Sequence, residues 1–197
     1  MNCLEIKMGN KAVFVDRDGT INVDGPYLSD PDKFEMYSGV GESVKKLKED
    51  GFKIIVMTNQ SGIARGYFTE DVLSKIHERM KMKFSEFGVK LDGIYYCPHH
   101  PDDDCECRKP KTVLFKKAIK EHDIDVNQSY MIGDKILDVC AGQKIGVKTV
   151  LIPEAHSRNE FLSNKNEWKC VPDYVADDFM KAVVWIIRTR NYNLNIQ

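Results

Sequence analysis

The sequence predicts an α/β fold in which a parallel sheet is flanked by helices. Short apolar runs rich in β-branched and aromatic residues recur along the chain, at Val13-Phe14-Val15, Ile54-Ile55-Val56, Ile94-Tyr95-Tyr96, Tyr130-Met131-Ile132 and Val150-Leu151-Ile152. Segments of helical apolar spacing separate them, and strands that alternate with helices build parallel sheets through right-handed crossovers. Several of the runs open into polar or glycine-bearing stretches, and in open α/β sheets the carboxyl ends of the strands border the site.

Val13-Phe14-Val15 reads as a strand buried on both faces, ending in Asp16-Arg17-Asp18-Gly19-Thr20. Residues 21–34 are rich in Asp, Gly and Pro and read as a long loop or flap over that end. Val40, Val44 and Leu47 space a first helix that runs to Asp50, with Gly51 behind it. Lys53 to Met57 is a second buried strand that opens into Thr58-Asn59-Gln60-Ser61-Gly62. Thr69 can cap a second helix with Glu70 and Asp71 in its first turn and Val72, Ile76, Met80 and Phe84 on one face. Gly93 to Tyr96 is a third strand that runs at once into a cluster of Cys and His, and Val113 to His122 is helical. The fourth strand, Tyr130-Met131-Ile132, ends in Gly133-Asp134-Lys135; a helix follows to about Lys144, and Lys148 to Ile152 is the fifth strand. Glu154 to Lys169 reads as a loop with a partial helix, Tyr174-Val175-Ala176 as an edge strand, and Phe179, Ala182, Val183 and Ile186 as the stripe of a last helix. A single domain over 1–197 is expected, with its core at about 11–152, a C-terminal loop and helix at 153–190 and a fraying tail at 191–197.

The 197 residues, 42% hydrophobic and 30% charged, suit one well-filled globular domain. A net charge of -1 gives no broad basic face for nucleic acid or a membrane surface, so neither is expected as a partner. No apolar run approaches a membrane span, and Met1 to Lys7 lacks the apolar core of a signal peptide, so a cytoplasmic protein is expected. A monomer is expected, although Val183, Val184, Trp185, Ile186 and Ile187 are apolar on more than one side of the last helix and could meet another chain. Of six cysteines, Cys97, Cys105 and Cys107 fall within eleven residues beside His99-His100. In a reducing compartment such clustering suggests metal rather than disulfides. Cys3, Cys140 and Cys170 are isolated and read as ordinary small side chains.

In a parallel sheet the polar stretches at the strand ends can meet in one crevice. They supply paired carboxylates, a hydroxyl, an Arg-Lys pair and a later acidic pair, the groups that phosphoryl transfer needs. One carboxylate can attack phosphorus and a second can give and take a proton. A hydroxyl, backbone N–H groups and a cation can hold the equatorial oxygens. Carboxylate oxygens suit a hard cation, and Mg²⁺ suits a site that also holds phosphate. Separately, Cys97, Cys105 and Cys107 with one histidine match a closed Cys₃His set for Zn²⁺, structural because no position stays open. That zinc clip would position Arg108 and Lys109, which follow it directly.

Asp16-Arg17-Asp18-Gly19-Thr20, Thr58-Asn59-Gln60, Arg108-Lys109-Pro110 and Gly133-Asp134-Lys135 with Asp138 resemble, in order, the four motifs of the haloacid dehalogenase superfamily. The resemblance covers about Lys11 to Ile152 and implies a Rossmann-like, haloacid dehalogenase-type fold; the inserts are too short for a separate cap domain. It implies that Asp16 is the nucleophile and Asp18 the general acid/base, with the Asp18 main-chain carbonyl also facing Mg²⁺. It implies that Thr58 and Lys109 bind the transferring phosphoryl, helped by Arg108, and that Asp134 ligates Mg²⁺ with Lys135 and Asp138 in support. Asn59, Gln60 and Ser61 are candidates for substrate contact. The zinc loop resembles that of a subfamily holding heptose bisphosphate phosphatases and histidinol-phosphate phosphatases, which implies His99 as the fourth ligand and His100 as the spare. Residues 58–68 resemble the heptose phosphatases, which implies that Arg65 meets the phosphate that is not cleaved. The five-residue gap between His99 and Cys105 and the Lys111-Thr112-Val113-Leu114 run resemble the histidinol phosphatases instead. The expected activity is a Mg²⁺-dependent phosphomonoesterase on a small phosphorylated substrate, preferably a sugar bisphosphate, with histidinol phosphate as the alternative. A non-catalytic zinc-clipped binding module is the reading from another class, and the presence of both Asp16 and Asp18 opposes it. A polynucleotide end-processing phosphatase would share Asp-x-Asp-Gly-Thr, and the missing basic stripe opposes that.

Overall fold

The computed structural model describes residues 9–25, 27–154 and 158–194. The strands are β1 (Ala12–Val15), β2 (Lys53–Asn59), β3 (Gly93–Cys97), β4 (Tyr130–Gly133), β5 (Lys148–Leu151) and β6 (Tyr174–Val175). The helices are α1 (Val40–Glu49), α2 (Glu70–Ser85), α3 (Val113–His122), α4 (Ile136–Ile145), α5 (Arg158–Ser163) and α6 (Phe179–Leu194). The strands form one parallel sheet in the order β3-β2-β1-β4-β5-β6. This is the doubly wound arrangement in which the order reverses beside the first strand and opens a crevice there.

Side chains alternate across a strand, and this divides the interior into two cores. Val13 and Val15 of β1, Ile54 and Val56 of β2, and Tyr130 and Ile132 of β4 face one side, where α1, α2 and α6 cover them. Ala12 and Phe14, Ile55 and Met57, and Met131 face the other, against Phe115 and Ala118 of α3 and Ala141 of α4. Phe14 and Phe115 meet edge to face with centroids 5.4 Å apart. Thr69 caps α2 as its position predicts, accepting from the Val72 amide at 3.3 Å.

The α/β architecture and the five strands of the core agree with the sequence expectation, and the edge strand β6 pairs in parallel with β5. Residues 21–25 and 27–34 follow the expected loop, tightened by a short turn at Pro31–Lys33 that Asp30 caps. Two expectations change. Cys140 and Cys170 are not unpaired small side chains: they form a disulfide across 30 residues. The segment before β6 turns back over α4, where Gln143 Nε2 donates to the Val171 carbonyl at 2.6 Å, and that return brings the two thiols together. The last helix also outruns the expected tail boundary, since α6 continues through Leu194. Part of its broad apolar surface is used within the chain, since Val183 and Ile186 are buried and Trp185 stacks on Tyr174 with centroids 5.2 Å apart, while Val184 and Met180 stay exposed. The readings made for Met1 to Lys7 and for Cys3 lie outside the described residues. Among the described residues no helix is long and apolar enough to cross a membrane.

The smaller core hangs on Phe115, which is 1% exposed. Phe115→Ala is expected to lower stability by about 3–5 kcal/mol, read as an earlier urea midpoint with an unchanged slope.

Candidate active site

β1 and β4 are neighbours in register, so the residues that leave their carboxyl ends emerge side by side. The Asp16 amide continues the ladder, donating to the Ile132 carbonyl at 2.9 Å, which fixes the carboxylate that follows β1. From the far side of β2, Lys109 reaches in. Its Nζ lies 2.7 Å from Asp16 Oδ1 and 2.6 Å from Asp138 Oδ1, and it donates to the Met57 carbonyl at 2.8 Å. Lys109 is 5% exposed, and burial alone would lower its pKa; the charges of Asp138 and Asp16 outweigh that and raise it. Its ammonium form is therefore built into the site.

Asp134 completes the acidic cluster. Asp16, Asp134 and Asp138 can each bring an oxygen within 4.8 Å of the others. Burial, with the charges of Asp16 and Asp138, pushes the Asp134 carboxyl up to about 8. Asp134 Oδ2 is buried without a hydrogen-bond partner, with Lys135 Nζ 3.4 Å away. Asp138 is raised to about 6, burial being the largest cause and Lys109 acting against it. Two glycines make room for this crowding. A Cβ at Gly19, whose φ is +81°, would lie 2.6 Å from Asp134 Oδ2, and one at Gly133 would lie 2.5 Å from Asp138 Oδ2. Three buried carboxylates around one ammonium, with an oxygen left unpaired, fit a small hard cation such as Mg²⁺.

Asp18 stands differently. Arg17 grips it with two parallel donors, Nε to Oδ1 at 3.0 Å and Nη2 to Oδ2 at 2.6 Å. Gln60 Nε2 donates to Asp18 Oδ2 at 2.8 Å and Asn22 Nδ2 to Oδ1 at 3.1 Å. Burial pushes the Asp18 carboxyl upward, but the Arg17 charge and these donors outweigh it and hold it below the usual carboxylate range. Gln60 also donates to Thr58 Oγ1 at 2.7 Å, which ties the β2 hydroxyl to the β1 acid. Asn59 acts on the main chain: its Oδ1 accepts from the Lys109 amide at 3.0 Å and its Nδ2 donates to the Lys109 carbonyl at 3.3 Å.

A cavity of about 310 Å³ opens over this cluster. Asp16, Asp18, Thr58, Asn59, Gln60, Ser61, Arg108, Lys109 and Lys135, all candidates from the sequence, line it. Arg17, Asp24, Tyr27, Leu28 and Leu137 line it as well and were not singled out from the sequence. Asp134 and Asp138 are buried and do not line this cavity; Asp134 borders a smaller one with Lys135, Pro153, Glu154 and Phe161. Arg65 is exposed and does not line the cavity; its guanidinium carbon lies 6.0 Å from the Tyr27 ring centre, at the rim. Tyr27 has φ +55° and its ring meets that of Tyr67 with centroids 4.7 Å apart. A non-glycine residue in the left-handed region was a signal that only the backbone carries.

Beyond β3, Cys97, His99, Cys105 and Cys107 converge. The sulfurs are 3.4 Å (Cys97 to Cys105), 3.1 Å (Cys97 to Cys107) and 3.6 Å (Cys105 to Cys107) apart. His99 Nδ1 is 3.1 Å from Cys107 Sγ and 3.6 Å from Cys97 Sγ. Tetrahedral zinc, with Zn–S of about 2.3 Å, needs edges of about 3.7 Å, so this donor set fits Zn²⁺ with little adjustment. His100 instead takes the Asp102 amide on its Nδ1 at 3.3 Å and caps the turn at Pro101–Asp103, in line with its reading as the spare. Burial and the neighbouring thiols push the Cys97 thiol up to about 12, a proton that a bound metal would displace.

Residues 106–182 match the HAD-hydrolase-like family model. The chain is 49% identical over 177 residues to a D-glycero-β-D-manno-heptose-1,7-bisphosphate 7-phosphatase of Haemophilus influenzae, an alignment covering 87% of this chain and 94% of that one. It is 46% identical over 179 residues to the protein of the same name from Helicobacter pylori strain J99, covering 90% and 97%. Among solved structures, the D,D-heptose 1,7-bisphosphate phosphatase from B. bronchiseptica, complexed with magnesium and phosphate, superposes with a TM-score of 0.81 at 27% identity, over 91% of this chain and 99% of that one. With its motif residues gathered in one crevice and relatives of this identity spanning most of its length, the chain belongs to the haloacid dehalogenase-type phosphatases and is a phosphoric monoester hydrolase.

Proposed function

We propose that this phosphatase hydrolyses D-glycero-D-manno-heptose 1,7-bisphosphate at its 7-phosphate, through an aspartyl-phosphate on Asp16. The observation that carries the chemistry is the position of Lys109, whose Nζ is 2.7 Å from Asp16 Oδ1 in a cavity walled by Thr58 and Asp18. The substrate reading is supported by relatives that carry this activity in their names, among them the Haemophilus influenzae protein at 49% identity.

A carboxylate oxygen of Asp16 forms a bond to phosphorus while the ester P–O bond breaks and its electron pair stays with the sugar oxygen. That oxygen takes a proton from Asp18. An entering phosphate dianion raises the Asp18 carboxyl by its own charge, toward the protonated form this step uses. In the second half, Asp18 takes a proton from water as the water oxygen attacks the acyl-phosphate and frees Asp16. Lys109, Arg108 and the Thr58 hydroxyl hold the equatorial oxygens as charge builds on them. Mg²⁺ would be held by Asp16, Asp134 and the Asp18 main-chain carbonyl, with Asp138 and Lys135 behind them, and supplies charge neutralisation at the phosphoryl group. Asn59, Gln60 and Ser61 border the sugar. Arg65, at the rim beside Tyr27, is suited to the phosphate that stays on the substrate. Cys97, His99, Cys105 and Cys107 would hold Zn²⁺, which would fix the loop from which Arg108 and Lys109 emerge.

The deciding assay is phosphate release with Mg²⁺ from heptose 1,7-bisphosphate and from histidinol phosphate. A kcat/KM far in favour of the bisphosphate supports the reading, and a ratio far the other way replaces it with histidinol phosphate, which the short zinc loop favours. Asp16→Asn is expected to abolish turnover on either substrate while circular dichroism stays unchanged; near-normal turnover would remove Asp16 as the nucleophile. Stripping zinc with a strong chelator is expected to cost activity that Mg²⁺ alone does not restore and that added Zn²⁺ does. Structural zinc sites contribute about 10–16 kcal/mol, so a fully active zinc-free protein would refute the clip.

A further inference from the structure

We propose that Arg17 is a positioning residue, and that its side chain, with Gln60 as a second arm, sets the orientation of the Asp18 carboxyl relative to the phosphoryl group. This rests on the reading of Asp18 as the group that protonates the leaving oxygen.

Arg17 occupies the middle position of Asp-x-Asp, where the chain leaves β1 for a loop. A residue there could face solvent. Instead Arg17 is 1% exposed and ranks among the largest fully buried side chains. Burying a guanidinium is costly unless it is paired with good geometry. Among the described residues its side chain bonds only to Asp18 and Gln60. The nearby His77 offers it no charge, because burial, with Arg17 itself, holds that imidazole neutral by lowering it to about 3. The buried cation is thus committed to one carboxylate.

The form of the grip suits orientation. A two-point guanidinium fork fixes both the position and the plane of a carboxylate. Gln60 closes the ring: its Oε1 accepts from Arg17 Nη2 at 2.9 Å while its Nε2 donates to Asp18 Oδ2 at 2.8 Å and to Thr58 Oγ1 at 2.7 Å. The acid is thereby referenced to the hydroxyl that holds the phosphoryl oxygens. Asp18 keeps 21% of its side chain exposed and Arg17 1%, and both line the cavity.

An orienting role has a signature that a role in folding lacks. In the first half-reaction the electron pair of the breaking P–O bond remains on the leaving oxygen. An alkoxide needs the Asp18 proton at that moment, and a nitrophenolate leaves without one. The kcat/KM for Mg²⁺-loaded enzyme, which reports phosphorylation of Asp16, should therefore be measured with an alkyl phosphomonoester and with p-nitrophenyl phosphate. For Arg17→Met the alkyl value is expected to fall roughly 10²-fold, the usual effect of about 1 Å of misplacement, and the nitrophenyl value far less. Arg17→Lys, which keeps the buried charge and loses the fork, is expected to show the same selective loss. Asp18→Asn is the reference and should be selective in the same sense. Equal losses on both esters in a folded Arg17 variant, or no loss on either, would overturn the proposal while leaving Asp18 as the acid. Failure of both Arg17 variants to fold would assign the residue to the fold and likewise overturn it. An Asp18→Asn variant without leaving-group selectivity would overturn the reading of Asp18 and the clamp together.

Discussion

The ion pairs of Lys109 with Asp16 and Asp138 constrain the rest of the site, because they put one ammonium among three buried carboxylates. An unpaired carboxylate in a low-dielectric interior is expensive and tends to take up a proton. Asp134 shows this most clearly, raised to about 8 with one oxygen left without a hydrogen bond. Two packed cores hold the strands that carry this charge and leave it no way to disperse. Such an excess of negative charge is tolerated where a cation completes the balance, and the crowding of these side chains accounts for glycine at both positions, Gly19 and Gly133, where a Cβ would strike a site carboxylate.

The sheet order explains how four distant segments reach one point. β1 and β4 lie side by side and deliver Asp16 and Asp134 from adjacent carboxyl ends. β2 flanks β1 on the other side and delivers Thr58. The fourth contribution, Lys109, comes from no strand end. It comes from the loop that follows β3, and Asn59 receives it by holding its amide and carbonyl together. The lysine is therefore located by its main chain as well as by its charge partners.

Much of this was legible in the sequence, for reasons that differ by element. The strands were readable because runs such as Val13-Phe14-Val15 must be apolar on both faces. The carboxylates were readable because they end such runs, and the thiol cluster because three cysteines within eleven residues have few other uses. The side chain of Arg17 was not legible: burial of the middle residue in Asp-x-Asp leaves no periodic trace, and its acceptor on Gln60 lies 43 residues away. The Cys140–Cys170 pairing was hidden for a related reason, since it depends on how the chain after β5 returns over α4. Arg65 shows the opposite case. Its loop was recognisable, yet only the fold sets the guanidinium at the rim rather than among the residues that line the cavity.

The loop that follows β2 and the loop that follows β3 are sewn to each other. The Gln60 amide donates to the Cys97 carbonyl at 2.7 Å and the Ala64 amide to the Pro98 carbonyl at 3.2 Å. These seams join the wall bearing Thr58 and Gln60 to the base of the thiol loop and, through it, to Arg108 and Lys109. The two walls are thereby coupled, so a displacement of the loop bearing Thr58 and Gln60 would carry the base of the thiol loop with it, and a change at the thiols would be felt at the hydroxyl that faces the phosphoryl group.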